Sequence, residues 1–295
     1  MPFDDSRLAA LKAPRGRFLE DEESGQGVFH VDSLHTYIQA AGYLKFYLGK
    51  NNRGGVFFRG QTRLYSSMVP GLYRGAERQV TKEERHGALI GYLERVEEER
   101  RVLRAVDPRV REPLLQHYGL RTRWIDLVDN AWVALWFACF NAVTTGKLDE
   151  YLHFERRGDP AGEDLRERFA YIVLMEAEMS PDPEMEGWYR GDDTELVDLR
   201  VAAPSHFVRP HAQHGVLLKR KILNLAIPEA TDYIDLVRGA IRIPLSKALA
   251  WLGNGGLTQV HTLFPPPSYD YGYLELLRGA PDGMPRVGAI HHVGA

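Results

Sequence analysis

The run from Ala131 to Val143 is the longest apolar stretch in the chain, and its aromatic side chains fall on nearly every side of a helix drawn through it. A helix that is apolar all round is buried all round. The run is too short to cross a bilayer, which takes about 20 apolar residues. The spacing therefore predicts a buried helix over 130–143, with Cys139 as a small core residue. With 295 residues the chain is long enough to build a substantial core around it.

Other elements follow from period and punctuation. Residues 1–30 are mixed and glycine-rich and read as an irregular arm, leaving 31–295 as a single domain. Leu34, Ile38, Ala41 and Leu44 share a helix face over 32–48, and Asp32 or Ser33 can cap its start. Val56-Phe57-Phe58 reads as a buried strand, 81–105 as a helix with a solvated charged face, and 171–175 as a strand. Residues 152–168 read as a surface excursion, and 179–206, rich in Pro, Gly and acids, as a long loop. Residues 215–218 predict a strand, 233–243 a strand pair turning near Gly239, and 246–252 a helix stopped by Gly253. Helices and strands intersperse without regular βαβ alternation, which favours an α+β fold.

Composition narrows function mainly by exclusion. A formal net charge of −3 gives no global pull toward nucleic acid or anionic membrane. A single cysteine rules out an intrachain disulfide and a multi-thiolate zinc site. The pairs His211/His214 and His291/His292 have no carboxylate or thiolate at ligand spacing, so no metal is expected. No basic patch precedes an apolar segment at the N-terminus, so a cytoplasmic protein without a membrane anchor is expected. Phosphate-loop, dinucleotide-fingerprint, nucleophile-elbow and zincin motifs are missing.

Three blocks hold the polar chemistry. The first ends a strand with Arg59-Gly60-Gln61. A fixed guanidinium grips phosphate or carboxylate with paired hydrogen bonds, and Gly60 permits close backbone approach. An edge-strand arginine in an ion pair is the plainer alternative. The second block, His117 to Asp126, gathers an imidazole, the Thr122 hydroxyl, Arg123 and a carboxylate around the turn at Gly119. Taken singly, Asp126 is also a helix cap and Arg123 a partner for Asp126 or Asp129. The third block, Arg209 to Gly215, sets Arg209 and Gln213 at a strand mouth.

In this order the blocks resemble the FRG-domain family. The matching pieces are Phe58-Arg59-Gly60-Gln61, then Leu64 and Val69 to Arg74, then His117 to Asp126, Ala134 to Ala138, Gln213 to Val216 and Leu263 to Pro265, together spanning roughly 30–280. The family usually has Trp-Thr after the aspartate, and Leu127-Val128 stands there instead. Remotely, the chain is similar to ADP-ribosyltransferases. That resemblance implies a split, mainly antiparallel sheet with flanking helices and a cleft for NAD, consumed as substrate. It implies Arg59 on the pyrophosphate or ribose, with His117 and Thr122 at the ribose or adenosine side. Tyr118 or Trp124 becomes a stacking wall, Arg209 a second positive contact, and Gly60 and Gln61 part of the same lining. Asp126 is the best-placed carboxylate, with Glu176 and Glu178 as others. Gln213 stands where a catalytic glutamate is usual, and an amide does not serve as a general base.

Two function classes follow. One is an NAD-dependent ADP-ribosyltransferase, a bacterial toxin or defence effector acting on a protein or nucleic acid and kept by a cognate antitoxin or defence partner. The other is a non-catalytic module that binds NAD or a related nucleotide. A third, a nucleic-acid enzyme, would use Arg121, Arg123, Lys219, Arg220 and Lys221 as a phosphate track.

Overall fold

Strands that are apolar on both sides need cover on both faces, and the most apolar strand of this chain takes the middle of its largest sheet. The computed structural model describes residues 16–22, 24–51, 54–99, 101–158, 168–221, 230–278 and 283–294. The strands are β1 (Gly16–Glu20), β2 (Gly27–Val31), β3 (Gly54–Gln61), β4 (Ile125–Val128), β5 (Phe140–Thr145), β6 (Tyr151–Arg156), β7 (Phe169–Glu178), β8 (Ser180–Pro181), β9 (Trp188–Arg190), β10 (Thr194–Asp198), β11 (Gly215–Arg220), β12 (Val237–Pro244) and β13 (His292–Val293). The helices are α1 (Leu34–Asn51), α2 (Gln79–Glu99), α3 (Pro108–His117), α4 (Ala131–Cys139), α5 (Leu199–Ala202), α6 (Val208–Ala212), α7 (Leu245–Leu252), α8 (Val260–Leu263) and α9 (Tyr271–Leu277).

Ten strands form one sheet in the order β1-β2-β12-β7-β3-β4-β11-β10-β9-β8, and β13-β6-β5 form a second. Within the large sheet the pairing is antiparallel except between β2 and β12. The molecule is therefore α+β, with a large, mostly antiparallel sheet and flanking helices.

The sheet narrows at its centre. β3 pairs with β7 along its whole length, from Gly54↔Glu178 to Gln61↔Tyr171. β4 pairs with β11 at all four of its residues. Between β3 and β4, one residue pair joins the two halves, Phe58↔Val128. Each half has its own cover. Phe58, Val56 and Leu174 pack with Tyr37 and Leu44 of α1 and with Ala134 and Leu135 of α4. Leu217 and Val197 pack with Leu114 and Leu115 of α3 and with Tyr92 of α2. Val173, Leu127 and Val216 face a third apolar cluster.

α4 forms because Asn130 caps it, its Oδ1 accepting from Trp132 N at 2.9 Å and Val133 N at 3.4 Å. It lies so close to β3 that a Cβ at Gly60 would stand 1.8 Å from Ala134 O. The close approach expected of Gly60 is real, and the approaching backbone is this helix.

Several expectations are corrected. Within residues 1–30, expected as an irregular arm, β1 and β2 pair antiparallel with Phe18 opposite Phe29; residues 1–15 and 23 lie outside the described residues. The helix expected over 130–143 ends at Cys139, and Phe140 opens β5. Part of the expected excursion over 152–168 is β6, and 159–167 lie outside the described residues. The expected loop over 179–206 holds β8, β9, β10 and α5. The expected strand pair over 233–243 is a one-turn helix at Ile234–Leu236 and a single strand, irregular between Val237 and Gly239. The expected face of α1 is partly right: Ala41 and Leu44 are buried with Tyr37 and Ala40, but Ile38 is exposed. Ser33 caps that helix by accepting from Thr36 N at 3.2 Å. Strand β3, and helix α7 with its stop at Gly253 (φ 64°), stand as expected. No described helix is long and apolar enough to cross a membrane.

Candidate functional site

Antiparallel register would place Gly60 opposite Asp126 if the β3–β4 ladder continued past Phe58↔Val128. Instead the strands part, and Arg59 Nη1 donates to Asp126 O at 2.6 Å across the gap. The guanidinium takes the place of a missing ladder bond. In front of it opens a cavity of about 390 Å³, within the range of roughly 300–1,000 Å³ typical of small-molecule sites.

The Nε of Arg59 is buried and has no hydrogen-bond partner among the described residues. Burial, followed by the charge of Arg74, pulls its pKa down to about 10. It therefore remains a cation at neutral pH. Arg74 and Arg121 line the cavity with it; Arg121 is ion-paired to Asp149. The opposite charge comes from Asp126, which alternates outward between buried Ile125 and Leu127. Its carboxylate lines the cavity and makes no hydrogen bond or ion pair among the described residues. Among the described residues no other acidic side chain lines this cavity.

The far wall is aromatic. Phe137 of α4, Phe154 of β6 and Phe264 just after α8 line it, with Phe154 and Phe264 centroids 4.4 Å apart. The second sheet thus supplies a side of the site.

Two half-buried imidazoles also line the cavity. His117 ends α3 with both of its ring nitrogens buried, beside the Gln213 side chain. Burial lowers its pKa, against the opposing pull of Asp126, so it is neutral at pH 7. Its ring rests on Gly215, where a Cβ would lie 2.4 Å from Cε1. His291 lines the cavity too, and burial lowers it to about 4. The C-terminal segment that carries it is stitched in by His291 N to Tyr118 O at 2.7 Å and by Arg121 N to Val287 O at 2.8 Å. Gly119, at φ +125°, leaves room for the His291 ring.

Of the expected site residues, Arg59, Gly60, His117, Thr122, Asp126 and Gln213 line this one cavity. Thr122 is buried, its hydroxyl donating to Gln116 Oε1 and accepting from Trp124 N. Gln213 follows α6, and its Nε2 donates to Leu263 O at 2.8 Å; its amide is engaged in holding that turn.

Gln61, Tyr118 and Arg209 do not line the cavity. Gln61 is buried beside Met68. Tyr118 is fully buried and donates to Asp270 Oδ2 at 2.8 Å. Arg209 is also fully buried, its guanidinium 4.5 Å from the ring centroids of both Tyr118 and Tyr273. Its Nη1 donates to His117 O at 2.7 Å. Arg209 thus supports the backbone behind the cavity from a place that a ligand in the cavity does not reach. Trp124 lines the cavity but is a core side chain, packed edge-on against Trp188.

The other expected carboxylates are committed elsewhere: Glu176 to Arg238 at 2.6 Å, and Glu178 to Asp192 N at 2.6 Å. The expected phosphate track is taken up by internal partners. Arg123 pairs with Glu112, Lys219 with Glu195 and Arg220 with Asp235, while Lys221 donates to Gly191 O.

Sequence reasoning missed Arg74, His291 and the aromatic wall. Arg74 stood in the Val69–Arg74 block with no role given. His291 carries no sequence signal beyond its pairing with His292. Phe137 was hidden in an all-apolar helix, and Phe154 in a segment read as loop.

Residues 54–146, from β3 through β5, match the family model of the FRG domain. The chain carries an FRG domain. The matched segment includes Arg59, His117 and Asp126, which all line the cavity, and stops short of Arg209 and Gln213. Comparison with curated proteins and with solved structures finds no match.

Proposed function

We propose that the FRG-domain cavity binds NAD as a substrate and transfers its ADP-ribosyl group to a nucleophile on a protein or nucleic acid. The observation that carries this reading is the free carboxylate of Asp126 facing the same cavity as the Arg59 guanidinium. NAD asks for anion clamps, a planar wall and an acceptor for a ribose hydroxyl. The Arg59 guanidinium and the outward-facing Arg74 suit the pyrophosphate. Phe137, Phe154 and Phe264 suit a flat ring. The neutral His117 can accept from or donate to a sugar hydroxyl.

In the reaction, the bond between ribose C1′ and the nicotinamide nitrogen breaks. Its electron pair goes to the ring and neutralises the pyridinium. Positive charge develops on the ribose, where Asp126 stabilises it by accepting a hydrogen bond from a ribose hydroxyl. The acceptor nucleophile then bonds to C1′ and gives up its proton to solvent. The apolar wall limits water, which would otherwise take the acceptor's place.

The test is release of labelled nicotinamide from NAD. Wild type should release it, and Asp126→Asn should do so ~100-fold more slowly while still binding, since the lost interaction is one made in the transition state. A second reading, a nucleotide-binding module without turnover, draws on the single carboxylate in the cavity and on the engaged amide of Gln213. Saturable NAD binding with no nicotinamide release in wild type would select it.

A further inference from the structure

A second cavity, of about 510 Å³, opens beside the first and shares Arg74 with it. It is built around a buried lysine. Lys82, in the first turn of α2, is 7% exposed, and its ammonium donates to Thr231 Oγ1 at 2.8 Å. An ammonium carries three N–H donors. Among the described residues no carboxylate lies within ion-pairing range of this one. Asp232 lines the same cavity, but its Oδ1 already accepts from Met68 N at 2.7 Å and Ile234 N at 3.1 Å. Glu77 stands at the exposed rim.

Lysine is almost never this buried unless paired, because an ammonium taken out of water needs an opposite charge to offset its lost hydration. The second cation is Arg74. Arg85 Nη1 donates to the Arg74 carbonyl at 2.7 Å and fixes its backbone, and Arg74 Nε donates to Val69 O at 3.2 Å. The two Nη groups of Arg74 remain free between the cavities.

We infer that this second cavity is a phosphate subsite, in which Lys82 and Arg74 hold a phosphate monoester. The dianion matches two cations, and the remaining donors of Lys82 and the Nη groups of Arg74 match its oxygens. The cavity is much larger than a bare phosphate, so the group arrives on a small phosphorylated molecule. That molecule is either the nucleotide seated in the first cavity, reaching across Arg74, or a separate phosphorylated ligand. The subsite stands independently of any nicotinamide chemistry.

The test begins in an Arg59→Met background, which weakens anion binding in the first cavity. Inorganic phosphate binding is followed by phosphorus NMR in that protein and after adding Lys82→Met. A loss of at least tenfold in affinity is expected, and equal affinity overturns the subsite. Arg74→Gln, at an exposed position tolerant of change, gives a second reading in the same background. There a several-fold loss is expected, and no change again overturns it. In otherwise wild-type protein, AMP and adenosine 2′,5′-bisphosphate separate the two sources. Tighter binding of the bisphosphate that disappears in Lys82→Met assigns the subsite to the nucleotide; no advantage, with phosphate binding still dependent on Lys82, assigns it to a separate ligand. Nicotinamide release, measured apart, judges the transferase reading alone.

Discussion

Arg59 does two jobs that one side chain rarely combines. Its Nη1 closes the gap between β3 and β4 on Asp126 O, and its Nε is left buried and unpaired at the cavity. An unpaired buried donor costs about 1–3 kcal/mol. Gly60, its neighbour, is set by packing. Gly60→Ala should destabilise the fold by ~3 kcal/mol or more, because the new Cβ would collide with the Ala134 carbonyl of a well-packed helix. Chemical denaturation measures this, and a loss below about 1 kcal/mol would mean that α4 can move off β3. His291 gives a pH signature. Its folded pKa, about 4, lies below the ordinary histidine value of 6.5, so the unfolded chain binds the extra proton first. Stability from this residue is therefore complete above pH ~6.5 and is lost as pH falls from there toward 4. His291→Gln should lose less stability than wild type over that window in denaturation at stepped pH. Parallel curves would show that the imidazole titrates freely.

Among the elements, α4 has the clearest dependence on one residue. Asn130→Ala removes the cap on Trp132 N and Val133 N and should cost ~1 kcal/mol in thermal or chemical unfolding. An unchanged midpoint would show that packing alone starts the helix. How far elements were legible depended on the length and regularity of their signal. β3 and α7 carried clean runs with glycine punctuation and were read correctly. The end of α4 was not, because apolar residues continue from Cys139 into β5 with no breaker between them. Phe140 stacks on Trp136 at 4.3 Å, so the same aromatic content serves helix and strand alike. The β8–β10 region was read as loop because its strands are short and lie between acidic and glycine residues. Their apolar positions, Trp188, Leu196 and Val197, become core only once β9 pairs with β10 and β10 with β11. The cavity residues of the FRG segment were legible from the strand-end pattern. Gln61, Tyr118 and Arg209 look the same in sequence, and only the fold, which turns their side chains away from the cavity, separates them from the rest.

For the molecule as a whole, the decisive feature is a sheet of two halves, each with its own helical cover, joined at Phe58↔Val128. A continued ladder would have filled the space where the cavity opens. Because the halves part there, the residue that bridges them also lines the cavity. Calorimetric titration of the intact chain with NAD, in wild type and in Arg59→Met, tests this most directly. The account predicts saturable binding by wild type and at least a ~10-fold loss in the folded variant, about the 1.4 kcal/mol of one charge-assisted contact. Equal affinity in the two proteins, or no binding by wild type, would contradict it.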